Sequence, residues 1–459
     1  MFGVICTLLA VVLLAYFVIK NYYPPVILLV LGLVLLLIGA YMGNAPVSAK
    51  TATNFLGFDL AQAVTDLTKS RIGGLGLNIM AIGGFSYYMN KIGASKALVK
   101  LCVRPLSAIH SPYVLLGLTY VVGQCMALFI NSAVGLGLLL MASVYPLLVQ
   151  LGVRRAAAAA VIGSTCCLDL GPSSSNAMRA ADLVGTDVVT YFVTGQIPVA
   201  ICVIAAVAVG HALVQRWFDR REAAKGITDD AGAAAGKTED AFAGAGPAFY
   251  AILPILPLFL LIIFSKLVVS SVKLDTIAAL FMVWVFVVIV EIIRNRGNVK
   301  KIFKDALALF QSMGKMFTGI VALIICAEFF ATGLRESGLI DALINSAQGV
   351  GAGMGFMTVI LTAIVSIVTF LTGSGVGAYS SFAALAPDVA SGLGGSVEAL
   401  VTPMQFASGM LRAMSPVAGV IIAVAGAAGV SPMAIVRRTW IPMILGLVTT
   451  IVVNQILFG

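Results

Sequence analysis

Long apolar runs separated by short polar joins dominate the chain. In the first half the runs cover Phe2 to Ile19, Pro25 to Met42, Gly74 to Met89, Val114 to Ile130, Val134 to Val149, Ala156 to Leu170 and Val188 to Leu213. The second half offers Phe249 to Phe264, Ile277 to Ile293, Phe317 to Thr332, Met354 to Leu371, Val376 to Leu385, an interrupted stretch from Leu400 to Ala428, and Trp440 to Phe458. A helix rises about 1.5 Å per residue and a bilayer core is about 30 Å thick, so runs near twenty residues predict transmembrane helices. Phe2 to Ile19 has no basic segment before it and no small-residue cleavage site leading into a soluble domain, and it reads as a retained helix. Between the halves, Gln215 to Gly246 is too polar to bury a core and predicts a flexible cytoplasmic linker. The division is therefore 1–213, a linker at 214–246, and 247–459.

Sliding the chain against itself by 242 to 244 residues superposes the runs and matches Ser132 with Ser374, Gly135 with Gly377, Pro172 with Pro416, Gly185 with Gly429 and Pro198 with Pro442. This predicts an internal repeat. Two joins in it are too short to connect full crossings: Asn131-Ser132-Ala133, and Thr372-Gly373-Ser374-Gly375. Each pair of flanking runs reads as a re-entrant hairpin with a polar tip at membrane depth. Gly171-Pro172-Ser173-Ser174-Ser175-Asn176 and Ser415-Pro416 interrupt stretches long enough to span, and proline there breaks a helix by removing a donor and clashing with the preceding turn. Irregular backbone survives in a bilayer only when it is buried in protein or lines a watery cavity. Five crossings per half, an odd number, place the halves in opposite orientations. The expected fold is all-α and polytopic, with two inverted repeats, about ten transmembrane helices and two re-entrant hairpins.

Composition sharpens this. Of 459 residues, 60% are hydrophobic and 10% charged, and the mean hydropathy is +1.07, which excludes a soluble protein. The net charge of +9 comes from basic clusters between apolar runs, which fits membrane topology better than nucleic-acid binding. With the crossings as counted, twenty Lys and Arg fall on one side and six on the other (Lys50, Lys69, Arg71, Lys266, Lys273 and Arg335), leaving Arg179 and Arg412 in or near the membrane. The positive-inside rule then puts both termini outside. The seven cysteines, with no C-x-x-C pair, read as small buried hydrophobes. The two histidines, His110 and His211, flank the runs and make no metal site.

Arg412 is the most informative residue. A guanidinium at a helix centre costs about 2.5–3.5 kcal/mol on insertion scales, so it should face a cavity and pair with something. A substrate carboxylate, taken by two parallel hydrogen bonds, is one partner; an internal salt bridge with Asp169 is the other. Asn131, Ser132, Thr372, Gly373, Ser374 and Gly375 at the tips, with Ser173, Ser174 and Ser415 at the breaks, add helix-start N–H groups and hydroxyls that suit an anion. Small residues also serve close helix packing, which is the preferred reading for Gly83 and Gly84. Asp169 and Glu328 are candidates for a coupling proton or sodium ion, with structural pairing the alternative, and Arg179 has Asp182 within reach. Gly232 to Thr238 is one residue short of a phosphate-binding loop and has no strand before it, so ATP, other cofactors and enzymatic chemistry are not expected.

Tyr250-Ala251-Ile252-Leu253-Pro254, Leu371-Thr372-Gly373-Ser374-Gly375, and Arg412 to Gly419 continuing through Ile421, Ala423, Val424, Ala425 and Gly426 resemble the DcuC family of anaerobic four-carbon dicarboxylate carriers of bacteria. The likeness spans nearly the whole chain. It implies an ion-transporter-superfamily fold with a dimerising scaffold and a mobile domain that carries the site across the membrane like an elevator. It also implies succinate, fumarate and malate as substrates, moved by exchange or with protons. The first half departs from the expected pattern at Asn131-Ser132-Ala133 and at Asp169, an added acid. A carrier for another carboxylate or an amino acid therefore stays open, as does an anion channel.

Overall fold

The computed structural model describes residues 2–20, 22–43, 53, 55–225, 244–265, 268–269, 271–272, 274–295, 298–337 and 353–459. Most of the central linker, the loop-like Gly232 to Thr238, and Lys50, Lys266 and Lys273 lie outside them. Every regular element among the described residues is helical. The first half contains α1 (Phe2–Ile19), α2 (Pro24–Tyr41), α3 (Leu56–Arg71), α4 (Leu77–Lys91), α5 (Ala94–Val103), α6 (Pro112–Ala127), α7 (Ala133–Ser143), α8 (Tyr145–Gln150), α9 (Arg155–Gly163), α10 (Ser175–Val184) and α11 (Ile197–Ala224). The second contains α12 (Leu256–Ile263), α13 (Thr276–Arg294), α14 (Val299–Ala306), α15 (Ala308–Met316), α16 (Ala322–Glu336), α17 (Met354–Thr372), α18 (Gly375–Ala383), α19 (Ala386–Leu393), α20 (Glu398–Met414), α21 (Gly419–Ala428) and α22 (Pro432–Phe458). Seven helical stretches among the described residues are long and apolar enough to cross a membrane.

The surface is that of a membrane protein. On α2, Val26, Val30, Val34 and Leu37 point outward while Leu28, Leu35 and Leu36 are buried, so both faces are apolar and lipid takes the place of water. With no hydrophobic drive between helices in lipid, close packing does the work. A Cβ on Gly84 would come within 2.7 Å of the Leu309 carbonyl, which makes this glycine the point of near backbone contact between α4 and α15.

Local features recur between the halves. Ser132 caps α7 by accepting from the Gly135 N–H at 3.0 Å, and Ser374 caps α18 by accepting from the Gly377 N–H at 3.2 Å. Single π-helical turns, Ile72–Gly76 and Phe317–Val321, lead into α4 and α16. Left-handed glycines, Gly185 and Gly429, close α10 and α21.

Four expectations need correction. The apolar run ending at Leu170 is not helical to its end: α9 stops at Gly163, where the Ser164 and Thr165 hydroxyls turn back onto the Val161 and Ile162 carbonyls, each at 2.8 Å. The polar linker begins later than residue 214, because α11 stays helical to Ala224. It does so because Gln215 and Asp219 are buried against Arg438, which bonds Gln215 Oε1 at 3.1 Å and Asp219 Oδ1 at 2.7 Å. His211 does not flank a membrane segment: it lies fully buried within α11, with Nε2 2.9 Å from Ser164 Oγ. Of the cysteines only Cys166 and Cys167 are buried, while Cys125 and Cys202 are exposed on apolar helix faces.

Candidate functional site

Each half contains one interrupted helix. In the first, eleven irregular residues from Ser164 to Ser174 separate α9 from α10; in the second, four from Ser415 to Ala418 separate α20 from α21. The first break is shaped by Asp169 in the left-handed region, φ +48°, and Gly171 at φ +80°. An L-residue there is strained by about 1–3 kcal/mol and persists only when its surroundings hold it. Three donors do so. Arg412 Nη2 donates to Asp169 Oδ1 at 2.8 Å, Asn176 Nδ2 to Oδ2 at 3.0 Å, and Gln405 Nε2 to the Asp169 carbonyl at 2.9 Å. Arg412 Nη2 also donates to the Cys166 carbonyl at 2.6 Å. Both bonds leave from Nη2, so Nε and Nη1 keep donor capacity with no protein partner among the described residues.

A cavity of about 110 Å³ lies beside this pair, lined by Asn131, Asp169, Ser174, Ser175, Val376 and Arg412 among others. Three helices begin at its wall: α7 next to Asn131, α10 at Ser175, and α18 next to Val376. Helix starts carry unpaired N–H groups and the positive end of the helix dipole, so three of them with one guanidinium make a concentration of positive potential. Asp169 offsets part of it. A larger cavity of about 540 Å³ reaches Thr372 and Ser374, but its wall is mostly Leu, Ile, Val and aromatic side chains without a charge. The smaller cavity is the one with chemistry.

The sequence-derived candidates divide accordingly. Asn131, Asp169, Ser174 and Arg412 meet at the small cavity. Ser132, Ser174 and Ser374 each cap a helix by accepting from a backbone N–H, and of the three only Ser174 lines the small cavity. Thr372 donates to the Val368 carbonyl at 2.8 Å, Ser415 to the Phe370 carbonyl at 2.7 Å, and Ser173 to the Leu128 carbonyl at 2.6 Å. Gly373 and Gly375 allow close approach: a Cβ would stand 2.8 Å from Ala418 Cα at the first and 2.6 Å from the Ser408 carbonyl at the second, so the second hairpin tip is pressed onto α20 and its break. Glu328 lies elsewhere, paired with Arg71 and Arg179. Sequence reading missed Asn176, Gln405 and Ser408. A signal existed in Thr402, Gln405, Ser408 and Arg412, a polar stripe at helical spacing in an apolar helix, all but Arg412 fully buried.

Membrane-length helices, two of them broken, closing round a buried arginine and several helix starts define a polytopic membrane protein. The comparisons with known proteins agree in class and give the family. The family of C4-dicarboxylate anaerobic carriers, DcuC, matches residues 2–458, and the chain belongs to it. It is 35% identical over 445 residues to a probable anaerobic C4-dicarboxylate transporter DcuC of Vibrio cholerae, covering 96% of this chain and 95% of that one. It is 34% identical over 444 residues to the anaerobic C4-dicarboxylate transporter DcuC of Escherichia coli K12, covering 96% and 94%. Among solved structures, the YdaH transporter of Alcanivorax borkumensis matches with a TM-score of 0.58 at 17% identity, over 95% of this chain and 98% of that one, a likeness of fold.

Proposed function

We propose that the protein is a secondary active transporter of four-carbon dicarboxylates such as succinate, fumarate and malate, in the bacterial inner membrane with both termini periplasmic. The observation that carries the reading is the Asp169 carboxylate seated on Arg412 at 2.8 Å, where three helix starts converge. A carboxylate already occupies part of the guanidinium, and a substrate carboxylate is the same chemical group arriving from solution. Asn131, Ser174 and Arg412 bind it, with the second hairpin tip, Thr372 to Gly375, holding that wall in place. Asp169 either yields its place on Arg412 or answers to the coupling ion, a proton or sodium. The recurring caps, π turns and closing glycines support two repeats, which the odd crossing count sets in opposite orientations. The family resemblance implies an elevator movement in a homodimer, in which α6 to α11 and α17 to α22 carry the site against the remaining helices.

The test is uptake of labelled succinate into proteoliposomes preloaded with fumarate. With no ion gradient imposed, the wild type accumulates label only with internal dicarboxylate, whereas a channel needs none. Arg412→Ala abolishes exchange while leaving the protein folded by size-exclusion profile; wild-type uptake by that variant removes the site assignment.

A further inference from the structure

Four charges form a closed ring away from the site. Asp182 Oδ2 accepts from Arg71 Nη1 at 2.9 Å and from Arg179 Nη1 at 2.8 Å; Glu328 accepts from Arg71 through Oε1, and its Oε2 forms an ion pair with Arg179 Nη2 at 3.1 Å. The side chain of Arg179 is 1% exposed. Arg179 and Asp182 belong to α10, Arg71 to α3 and Glu328 to α16, so two contacts of the ring cross between α10 and its neighbours and two do not.

We infer that this ring is a reversible dock that holds α10 against α3 and α16 in the present access state and must part for the site to cross the membrane. The inference rests on the reading that α10 travels with the hairpins. Parting a buried ion pair is costly chiefly because it strands a charge. Here parting strands none: Arg179 keeps Asp182 one helical turn away, and Arg71 keeps Glu328, so each body leaves with a neutral pair. A cavity of about 340 Å³ lined by all four groups and by Thr332 gives water access to the separating faces. The dock also sits at one end only. The counterpart of α10 in the second half is α21, Gly-Val-Ile-Ile-Ala-Val-Ala-Gly-Ala-Ala, which carries no charge, so no equivalent ring opposes it in the opposite state. The same ten-residue helix starts at the candidate site with Ser175, so Arg179 and Asp182 lie about 6 and about 10 Å along one rigid helix from the wall that holds substrate.

The test uses the full-length protein in proteoliposomes. R71E/E328R keeps a neutral pair on the α3–α16 side but sets like charges against each other across the dock. R71E/E328R/R179D/D182R restores alternation. A reporter cysteine, T332C, is labelled with a membrane-impermeant maleimide, with the parent protein as background. Undocking uncovers the Thr332 position, so labelling accelerates at least about threefold in the double variant and returns to within about twofold of the reference in the quadruple one. Unchanged labelling in the double variant overturns the dock, as does acceleration that persists in the quadruple one. Should the double variant fail to fold, R71Q/E328Q gives a smaller acceleration in the same direction, and none overturns the inference. Absence of succinate/fumarate exchange by the wild type overturns the transport reading instead, whatever the labelling ratio.

Discussion

Asp169 is held by side chains from both halves of the chain: Asn176 from the first, Gln405 and Arg412 from the second. Its left-handed backbone is one that Asn tolerates nearly as well as Asp. Asp169→Asn therefore keeps the break, the Gln405 bond to the backbone carbonyl and, with its amide oxygen turned to Asn176, that contact, while removing the charge and the acceptor opposite Arg412. The expected result is exchange near wild type with loss of the pH or sodium dependence of net uptake, measured with imposed gradients; loss of exchange itself places Asp169 in substrate binding. Arg412 and Asp169 were legible in the sequence because a charge in an apolar stretch is expensive and needs a reason. Asn176 and Ser408 were not, since short polar residues in membrane helices are common and only the chain from Ser408 Oγ through the Asn176 amide to the Asp169 carboxylate gives them meaning. Glu328 was visible for the same reason as Arg412, yet its partners are Arg71, 257 positions away, and Arg179.

Helix interruption governs the elements. The proline-bearing breaks were readable, but the length of the first was not: hydropathy continues to Leu170 while hydrogen bonding stops at Gly163, because Ser164 and Thr165 satisfy backbone carbonyls of their own turn. The helix α20 meets the first break at Gly409, where a Cβ would lie 2.2 Å from the Cys167 carbonyl. Backbone cannot yield as a flexible side chain can, so Gly409→Ala prises α20 from the first break. Overpacking of this kind costs about 1–3 kcal/mol. A fall of several degrees in the Tm of the detergent-solubilised protein is expected, together with impaired exchange. Gly426→Ala, with nothing within 4 Å of the added methyl, leaves the Tm unchanged or raised. Equal melting of the two variants removes the claim that α20 is packed tightly against the first break there.

At the scale of the molecule, the distribution of Lys and Arg sets the orientation. Alkaline phosphatase fused at the C terminus is expected to be active and green fluorescent protein there dark, with the reverse for insertions in the basic central segment; the opposite pattern inverts the proposed topology. The sequence by itself determined the medium, the helices long enough to cross it and the presence of an unusual buried cation, because each is a matter of one-dimensional order: how long a run stays apolar and where a charge interrupts it. Only the tertiary structure decided which partners those charges take, that three helix starts share one cavity, and that Arg179 closes a ring with groups from α3 and α16. Those are contacts between segments remote in the chain, and no spacing along a sequence encodes the distance between two helices that lipid and close packing bring together.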